Sequence, residues 1–475
     1  MAADQGPLPD GFRIVLDSAV RRLDDGAVIS GGSPLRLLRL TAGGRRLVDR
    51  LVGGDAVPPT GGAQRLVRRL LDAGIAQPVP GHPSFTAADV AVVVPTFDGA
   101  AALARTLATI GSVGHIVVVD DGSADHDQVA EVARAHVADV VRHDRNLGPG
   151  AARDSGWVMT GCPVVAFVDA DVEVAPGWLD VLLTHLNDPN VAAVAPRVVA
   201  RPGGTGWLDA YETARSPLDM GPRPGPARPR SWVPYVPTAT LVVRRAALVD
   251  VGGFDGALRY GEDVDFVWRL GSSGWSVRYE PAVTVTHPAR ATTEGWLRQR
   301  VAYGTSAAPL AARHGRALAP LAVSVWSALA WVLAGLGFRK TALAVAAVTG
   351  ALLVPKLRAL DHPAAEAGRL AGLGHLHAGR AVADAIRRPW WPLAVLAALL
   401  SRRARRGVAL AFAVPPLLEW YQRRPPLDPL RWSAARVADD VAYGTGVWIG
   451  CVRERTVDAL VPDLASWPGR RDLDV

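Results

Sequence analysis

Two aspartates one residue apart, Asp169 and Asp171, leave the apolar run Val164–Val168, and their spacing puts both carboxylates on one side of a strand exit. Such a pair can hold a hard divalent ion, Mg2+ or Mn2+, which prefers oxygen ligands and brings phosphate oxygens with it. A second acidic pair, Asp120-Asp121, ends the apolar run Ile116–Val119 and precedes Gly122-Ser123. It can accept hydrogen bonds from a base or a ribose, although Asp-Gly-Ser is also an ordinary turn. A third group, Glu262, Asp263 and Asp265, opens a helix that continues to Leu270. The helix dipole favours acids there, but three carboxylates in four residues exceed what capping needs, and one is a candidate general base. Arg259 and the dipole are expected to keep Asp263 ionised. Glu262 is its rival, about 100° away round the helix.

These side chains need a scaffold with strand ends. Val90–Val94, Ile116–Val119 and Val164–Val168 are apolar on both faces, and they alternate with helical patterns at Ala100–Ile110 and Asp127–Ala135. That alternation predicts an α/β domain with a parallel sheet covered on both sides. Val94-Pro95-Thr96 is a further strand exit. Open α/β sheets bind ligands at the carboxyl ends of their strands, where both aspartate pairs above fall.

Pro95-Thr96, Asp120-Asp121-Gly122-Ser123, Asp169-Ala170-Asp171 and Gly261-Glu262-Asp263, in this order, resemble the inverting nucleotide-sugar glycosyltransferases of family 2. Arg145-Asn146-Leu147-Gly148, Ala151-Ala152-Arg153-Asp154 and Val251-Gly252-Gly253-Phe254-Asp255 are similar to connecting segments of that family. The resemblance implies a GT-A, Rossmann-like fold with Pro95, Thr96, Asp121, Arg153, Asp169 and Ala170 around the nucleotide sugar. It implies that Asp121 meets the nucleobase, Asp169 the ribose or ion, and Asp171 the ion on the diphosphate. His287, after Val283–Thr286, is a third metal ligand by the same resemblance, or else a satisfied structural histidine. Asp263 is then the base of a single in-line displacement that turns an α-linked donor into a β-linked product.

The flanks frame this core. Four regions are expected: 1–85, 86–316, 317–421 and a tail, 422–475. In the first, short strands at Gly11–Leu16 and Ala27–Ser30 precede helices Gly44–Leu51, capped by Thr41, and Ala63–Ala73, stopped by Gly74. This winged-helix-like α+β module resembles the peptide-recognising PqqD-like class, or serves only as a packing appendage. The third region is apolar and helical. Ala317–Phe338 carries no charge over 22 residues, long enough to span a bilayer, whereas Thr341–Pro355, Pro389–Leu400 and Gly407–Leu418 are shorter. Arginines flank them, which suits an anionic membrane surface.

Taken together, the three parts resemble the glycosyltransferases of mycofactocin biosynthesis. That implies glucose transfer from a nucleotide sugar, UDP-glucose, to a redox cofactor derived from a ribosomal peptide, on the cytoplasmic side of the membrane. A rhamnosyl- or galactosyltransferase of cell-envelope polysaccharide fits the core motifs too, and a non-catalytic peptide-binding scaffold is the reading of another class.

Composition narrows the field. At 475 residues the chain is expected to form two or three compact units. Its net charge of +7 is spread along the sequence, and 50 of its 52 basic residues are arginine, so no nucleic-acid groove is expected. Two cysteines, Cys162 and Cys451, allow neither a disulfide framework nor a cysteine zinc site, and suit a reducing compartment. Met1–Asp10 lacks the basic-then-apolar pattern of a secretory leader.

Overall fold

The computed structural model describes residues 6–201 and 203–465. By compactness the chain divides into two units, Met1–Pro202 with Arg215–Ala289, and Gly203–Ala214 with Arg290–Val475. The longer segment of the second unit begins at Arg290.

The N-terminal module has strands β1 (Ile14–Leu16), β2 (Arg21–Leu23), β3 (Val28–Gly31) and β4 (Arg36–Arg39), helices α1 (Ala42–Val52) and α2 (Gly61–Asp72), and strand β5 (Ala76–Pro78). β2, β3 and β4 form an antiparallel sheet, and β5 returns to pair with β1. Thr41 caps α1 by accepting from the Gly44 amide at 3.1 Å. Ile29, Val67, Leu70 and Ile75 are wholly buried in its small core.

The module shares its compact unit with the catalytic strands, and buried polar bonds join the two. Arg68 Nη1 meets Asp188 Oδ1 at 2.6 Å, Arg278 Nη2 donates to Gln77 Oε1 at 2.5 Å, and Arg223 pairs with Asp17. Removing the module would take the Arg68 guanidinium from Asp188 and the Gln77 amide from Arg278, both under a tenth exposed.

The catalytic sheet is built from β6 (Val90–Thr96), α3 (Ala100–Ile110), β7 (His115–Asp120), α4 (His126–Ala135), β8 (Asp139–Arg142), α5 (Pro149–Val158), β9 (Val164–Val168), β10 (Glu173–Val174), α6 (Trp178–His185) and β11 (Val191–Ala200). After α7 (Trp207–Ala214), which belongs to the second unit, come β12 (Gly225–Pro226), β13 (Thr240–Arg244), α8 (Arg245–Val251), α9 (Glu262–Ser272) and β14 (Ser276–His287). The strand order is β10-β14-β11-β13-β9-β6-β7-β8, with β12 beside β14. β9, β6, β7 and β8 run parallel, as the apolar runs predict; β13 enters antiparallel between β9 and β11. Val90 to Val94 and Val164 to Val168 are fully buried, so both faces are covered. Helix α5 lies tight on this sheet: a Cβ at Gly156 would come within 2.3 Å of Val93 Cγ1, so no larger residue fits without displacing a strand.

The second unit adds α10 (Thr293–Thr305), α11 (Ala307–His314), β15 (Ala322–Ser324), α12 (Val325–Gly335), α13 (Arg339–Leu353), α14 (Pro363–Arg387), α15 (Trp391–Leu400), α16 (Arg402–Arg423), α17 (Pro429–Glu454) and β16 (Asp463–Ala465). Two expectations are corrected here. Ala317–Phe338 is no continuous helix. Pro320 precedes β15, which pairs in parallel with β16, and α12 has only 11 residues, about half the length a bilayer requires. The described helix long and apolar enough to cross a membrane is Arg339–Leu357, at 19 residues, around the stretch taken as shorter. Nor is the described part of 422–475 a mere tail. α17 runs for 26 residues, and Trp432, Asp439, Asp440 and Val447 on it are buried.

Candidate active site

β6, β7 and β9 are adjacent and parallel, so their carboxyl ends deliver Thr96, Asp120-Asp121 and Asp169 to one edge of the sheet. The Asp121 amide donates to the Thr96 carbonyl at 2.9 Å, which ties the first two exits together. Pro95 is half-buried beside it, and the Thr96 hydroxyl is buried without a hydrogen-bond partner.

Asp121 is the best-held carboxylate on this edge. Oδ1 accepts from the Leu147 amide at 2.8 Å and lies 2.7 Å from His143 Nδ1, and Oδ2 accepts from the Gly148 amide at 2.9 Å. Its neighbour Asp120 turns inward, accepting from the Ser123 amide and from Arg142. Gly122 allows the two loops to touch. Its φ is +81°, and a Cβ there would come within 2.5 Å of the Arg145 carbonyl carbon.

At the third strand exit a buried guanidinium links two of the acidic motifs. Arg153, on α5, donates through Nη2 to Asp169 Oδ1 at 2.7 Å and through Nη1 to Glu262 Oε1 at 2.9 Å. Burial alone would favour losing its proton; Asp169 and Glu262 outweigh that and hold the charge firmly. Glu262 is therefore committed to an ion pair, which the sequence reading, taking it as a rival base, did not foresee. Asp263 has no such cation. Its carboxyl is pushed up to about 7, first by burial and second by the nearby charge of Glu262, against weaker lowering by the Val264 amide and Arg153. The expectation that the helix dipole and Arg259 keep Asp263 ionised is corrected, since the Arg259 guanidinium donates to Asn146 Oδ1 at 2.8 Å instead.

Asp171 faces His287, with 3.3 Å between Oδ2 and Nε2, and both are partly exposed. An oxygen and an imidazole at the rim suit a divalent ion whose remaining ligands come from phosphate and water. Among the described residues no cluster of three acidic, histidine or cysteine side chains is assembled for an ion. Asp169 is turned toward Arg153, so the fit is a shared one that a diphosphate must complete. The Ala170 carbonyl accepts from the Thr106 hydroxyl at 2.9 Å, which fixes the turn between the two aspartates.

Sequence reasoning missed His143. Its signal was faint: a lone histidine after the exposed edge strand β8, one residue before the Asp144-Arg145-Asn146 loop. Asp154 was read only as part of a connecting segment; its carboxylate takes the Phe254 amide at 3.0 Å and so anchors the turn that leads to α9.

Comparisons with known proteins identify a family. The family profile described as glycosyl transferase family 2 matches residues 91–252. The pre-mycofactocin glycosyltransferase of Mycobacterium tuberculosis is 41% identical over 473 residues, which cover 97% of this chain and 99% of that protein. An N-acetylglucosaminyl-diphospho-decaprenol L-rhamnosyltransferase of the same organism is 29% identical over 41% of this chain and 75% of its own. Among solved structures, the mannosyltransferase PcManGT from Pyrobaculum calidifontis, in complex with GDP-Man and Mn2+, matches at 20% identity with a TM-score of 0.38, covering 63% of this chain and 88% of that one.

Proposed function

The chain belongs to glycosyl transferase family 2, among the pre-mycofactocin glycosyltransferases, and from that premise we propose that it transfers glucose from UDP-glucose in β-linkage to the peptide-derived mycofactocin precursor. The observation that carries the mechanism is Asp263, a carboxyl raised to about 7 beside two carboxylates that share one arginine. A group with that proton affinity can take a proton from an acceptor hydroxyl near neutral pH. As the proton moves to Asp263, the acceptor oxygen attacks the anomeric carbon, and the bond from that carbon to the diphosphate oxygen breaks. Attack from the face opposite the leaving group inverts the α-donor. Arg153 keeps Asp169 and Glu262 aligned, so that Glu262 raises Asp263 without competing for the substrate proton. A divalent ion, Mg2+ or Mn2+, held through Asp171 and His287 with Asp169 beside them, would offset charge on the departing diphosphate.

The test is a direct one. The purified chain, UDP-glucose and the precursor should give a product heavier by one hexose, with the β-anomer read by proton coupling, and EDTA or Asp171→Asn should abolish it. Preference for a rhamnosyl donor and a polyprenyl-linked acceptor would overturn the acceptor assignment. Full activity in EDTA would overturn the metal assignment.

Two surfaces bear on the partners. The N-terminal module, read as PqqD-like, is proposed to serve the peptide-derived acceptor. The second unit is proposed to lie on the cytoplasmic membrane surface. Its support is an inverted pattern. α13 exposes Leu343, Val348 and Leu352 while burying Ala342 and Thr349, and α16 exposes Leu410, Val414, Leu417 and Leu418 after the exposed arginines 402, 403, 405 and 406. Soluble helices place such residues the other way round, and arginines beside an apolar face suit anionic headgroups. Sedimentation with vesicles containing anionic lipid, but not with neutral vesicles in high salt, is the expected outcome.

A further inference from the structure

Three consecutive residues of α5 reach three different parts of the site. Arg153 holds Asp169 and Glu262. Asp154 holds the turn at Phe254, whose ring stacks on Phe266 of α9 with centroids 4.4 Å apart. Ser155 Oγ lies 2.8 Å from His143 Nε2, and the other ring nitrogen of His143 lies 2.7 Å from Asp121 Oδ1. Successive helical residues diverge by about 100°, so one turn of helix can brace three loops at once.

The order Ser155–His143–Asp121 has the form of an acyl-transfer triad, but the surroundings do not support that chemistry. Ser155 lies inside a helix whose neighbouring amides are bonded within it, so no pair of free N–H groups stands ready for an oxyanion. The carboxylate end explains the arrangement better. An aspartate offers about four acceptor positions. Asp121 gives two on Oδ1 to His143 and Leu147 and one on Oδ2 to Gly148, which leaves one on Oδ2. Because a carboxylate only accepts, the proton on His143 sits on Nδ1, and Ser155 occupies Nε2.

We propose that His143 is a positioning residue for donor recognition, holding Asp121 so that its one remaining acceptor position meets a nucleobase imide N–H of the uracil type. Cytosine presents a bare ring nitrogen at that place and would be refused. The inference rests on the reading of the chain as a nucleotide-sugar transferase, and the experiment separates the two.

UDP binding to the full chain is measured by calorimetry with Mn2+, beside CDP and GDP, together with kcat and donor KM. An Asn amide can reproduce the Nδ1 donor and a Gln amide the Nε2 position. His143→Gln is therefore expected to weaken UDP binding about tenfold, as losing one bond to a carboxylate would. It should also erode the preference over CDP, with kcat at saturating donor within about threefold. His143→Asn should bind UDP within about threefold of the native chain. Ser155→Ala, which keeps the Asp121 contact and removes only the far anchor, should give a smaller loss of the same kind and serves if the Gln variant fails to fold. Native-like UDP affinity and base preference in both His143→Gln and Ser155→Ala would overturn the proposal, as would a fall in kcat at unchanged KM. If Asp121→Asn itself binds UDP normally, the donor reading fails before His143 is reached.

Discussion

Each unit of this chain buries a cluster of ionised side chains, and the two clusters are balanced in opposite directions. In the first unit a single guanidinium, Arg153, serves Asp169 and Glu262, with Asp263 beside them lacking a cation of its own. In the second, Asp440 receives Arg387 at 3.0 Å, Arg388 at 3.3 Å and Arg436 as well, and Arg436 also reaches Glu419 at 3.0 Å. Burial would raise the Asp440 carboxyl as it raises Asp263, but three arginines overcome it and hold Asp440 low. The same residue type is a fixed strut in one place and a proton acceptor in the other. The difference is the count of cations within reach. A cluster built for stability is saturated with cations, and a cluster built for chemistry is left short of them.

Breaking the saturated cluster should cost the most in folding. Asp440→Asn leaves the buried Arg387 and Arg436, with Arg388 beside them, around a neutral amide and is expected to destabilise the second unit by about 3 kcal/mol, read by denaturant unfolding. Turnover per folded molecule should be unchanged. A loss of activity without a loss of stability would place Asp440 in the chemistry and erase the distinction.

Breaking the unsaturated cluster should cost the most in rate. Asp263→Asn is expected to lower kcat by about 10²-fold or more, with donor affinity nearly unchanged. Glu262→Gln removes the charge that raises Asp263 and one partner of Arg153, so it should lower the rate less and shift its pH dependence. If Glu262→Gln abolishes turnover while Asp263→Asn loses only donor binding, the roles are exchanged.

The pH profile sharpens the same contrast. Asp263 acts ionised and titrates near 7, so kcat/KM should rise with pH through about 7 and level off above it. The limb should vanish in Asp263→Asn, whatever activity remains. Raising the divalent ion concentration should move the midpoint down, because a nearby cation favours the carboxylate.

The contrast also marks what a sequence can reveal. α3 runs over Ala100–Ile110 and β9 over Val164–Val168, the limits expected from periodicity, because each buries a regular apolar pattern. β8, with only Asp139 to Arg142 on an exposed edge, carries no such pattern and went unread. The acidic motifs were legible as motifs, since residue type and strand ends are local properties. Their partnership was not. Arg153 and Glu262 lie 109 residues apart, and only the order of strands brings them together. Burial and Glu262 likewise act on Asp263 through that assembly, which is why its ionisation was expected in the wrong direction. The error at Ala317–Phe338 has a similar root: hydropathy counts side chains and does not see that β15 pairs with β16.

The smallest expected effect is thermodynamic and of opposite sign to the catalytic one. In the unfolded chain Asp263 titrates near the ordinary aspartate value, whereas in the native site it holds its proton up to about 7. A folded-state carboxyl with raised affinity gains nothing for stability above its unfolded value, and it costs stability increasingly as pH rises from about 4 to 7. Above 7 the native site must carry the ionised group, and the cost is complete. Asn carries no charge at any of these pH values. Asp263→Asn should therefore unfold at higher temperature than the native chain at pH 8, on the order of 2 °C, and the gain should shrink as pH falls toward 4. Saturating Mn2+ and UDP should also reduce the difference, because a cation near the carboxylates supplies part of the missing charge. Scanning calorimetry of both proteins across this pH range checks the sign. A variant that is less stable than the native chain at pH 8 would mean that Asp263, like Asp440, is a strut.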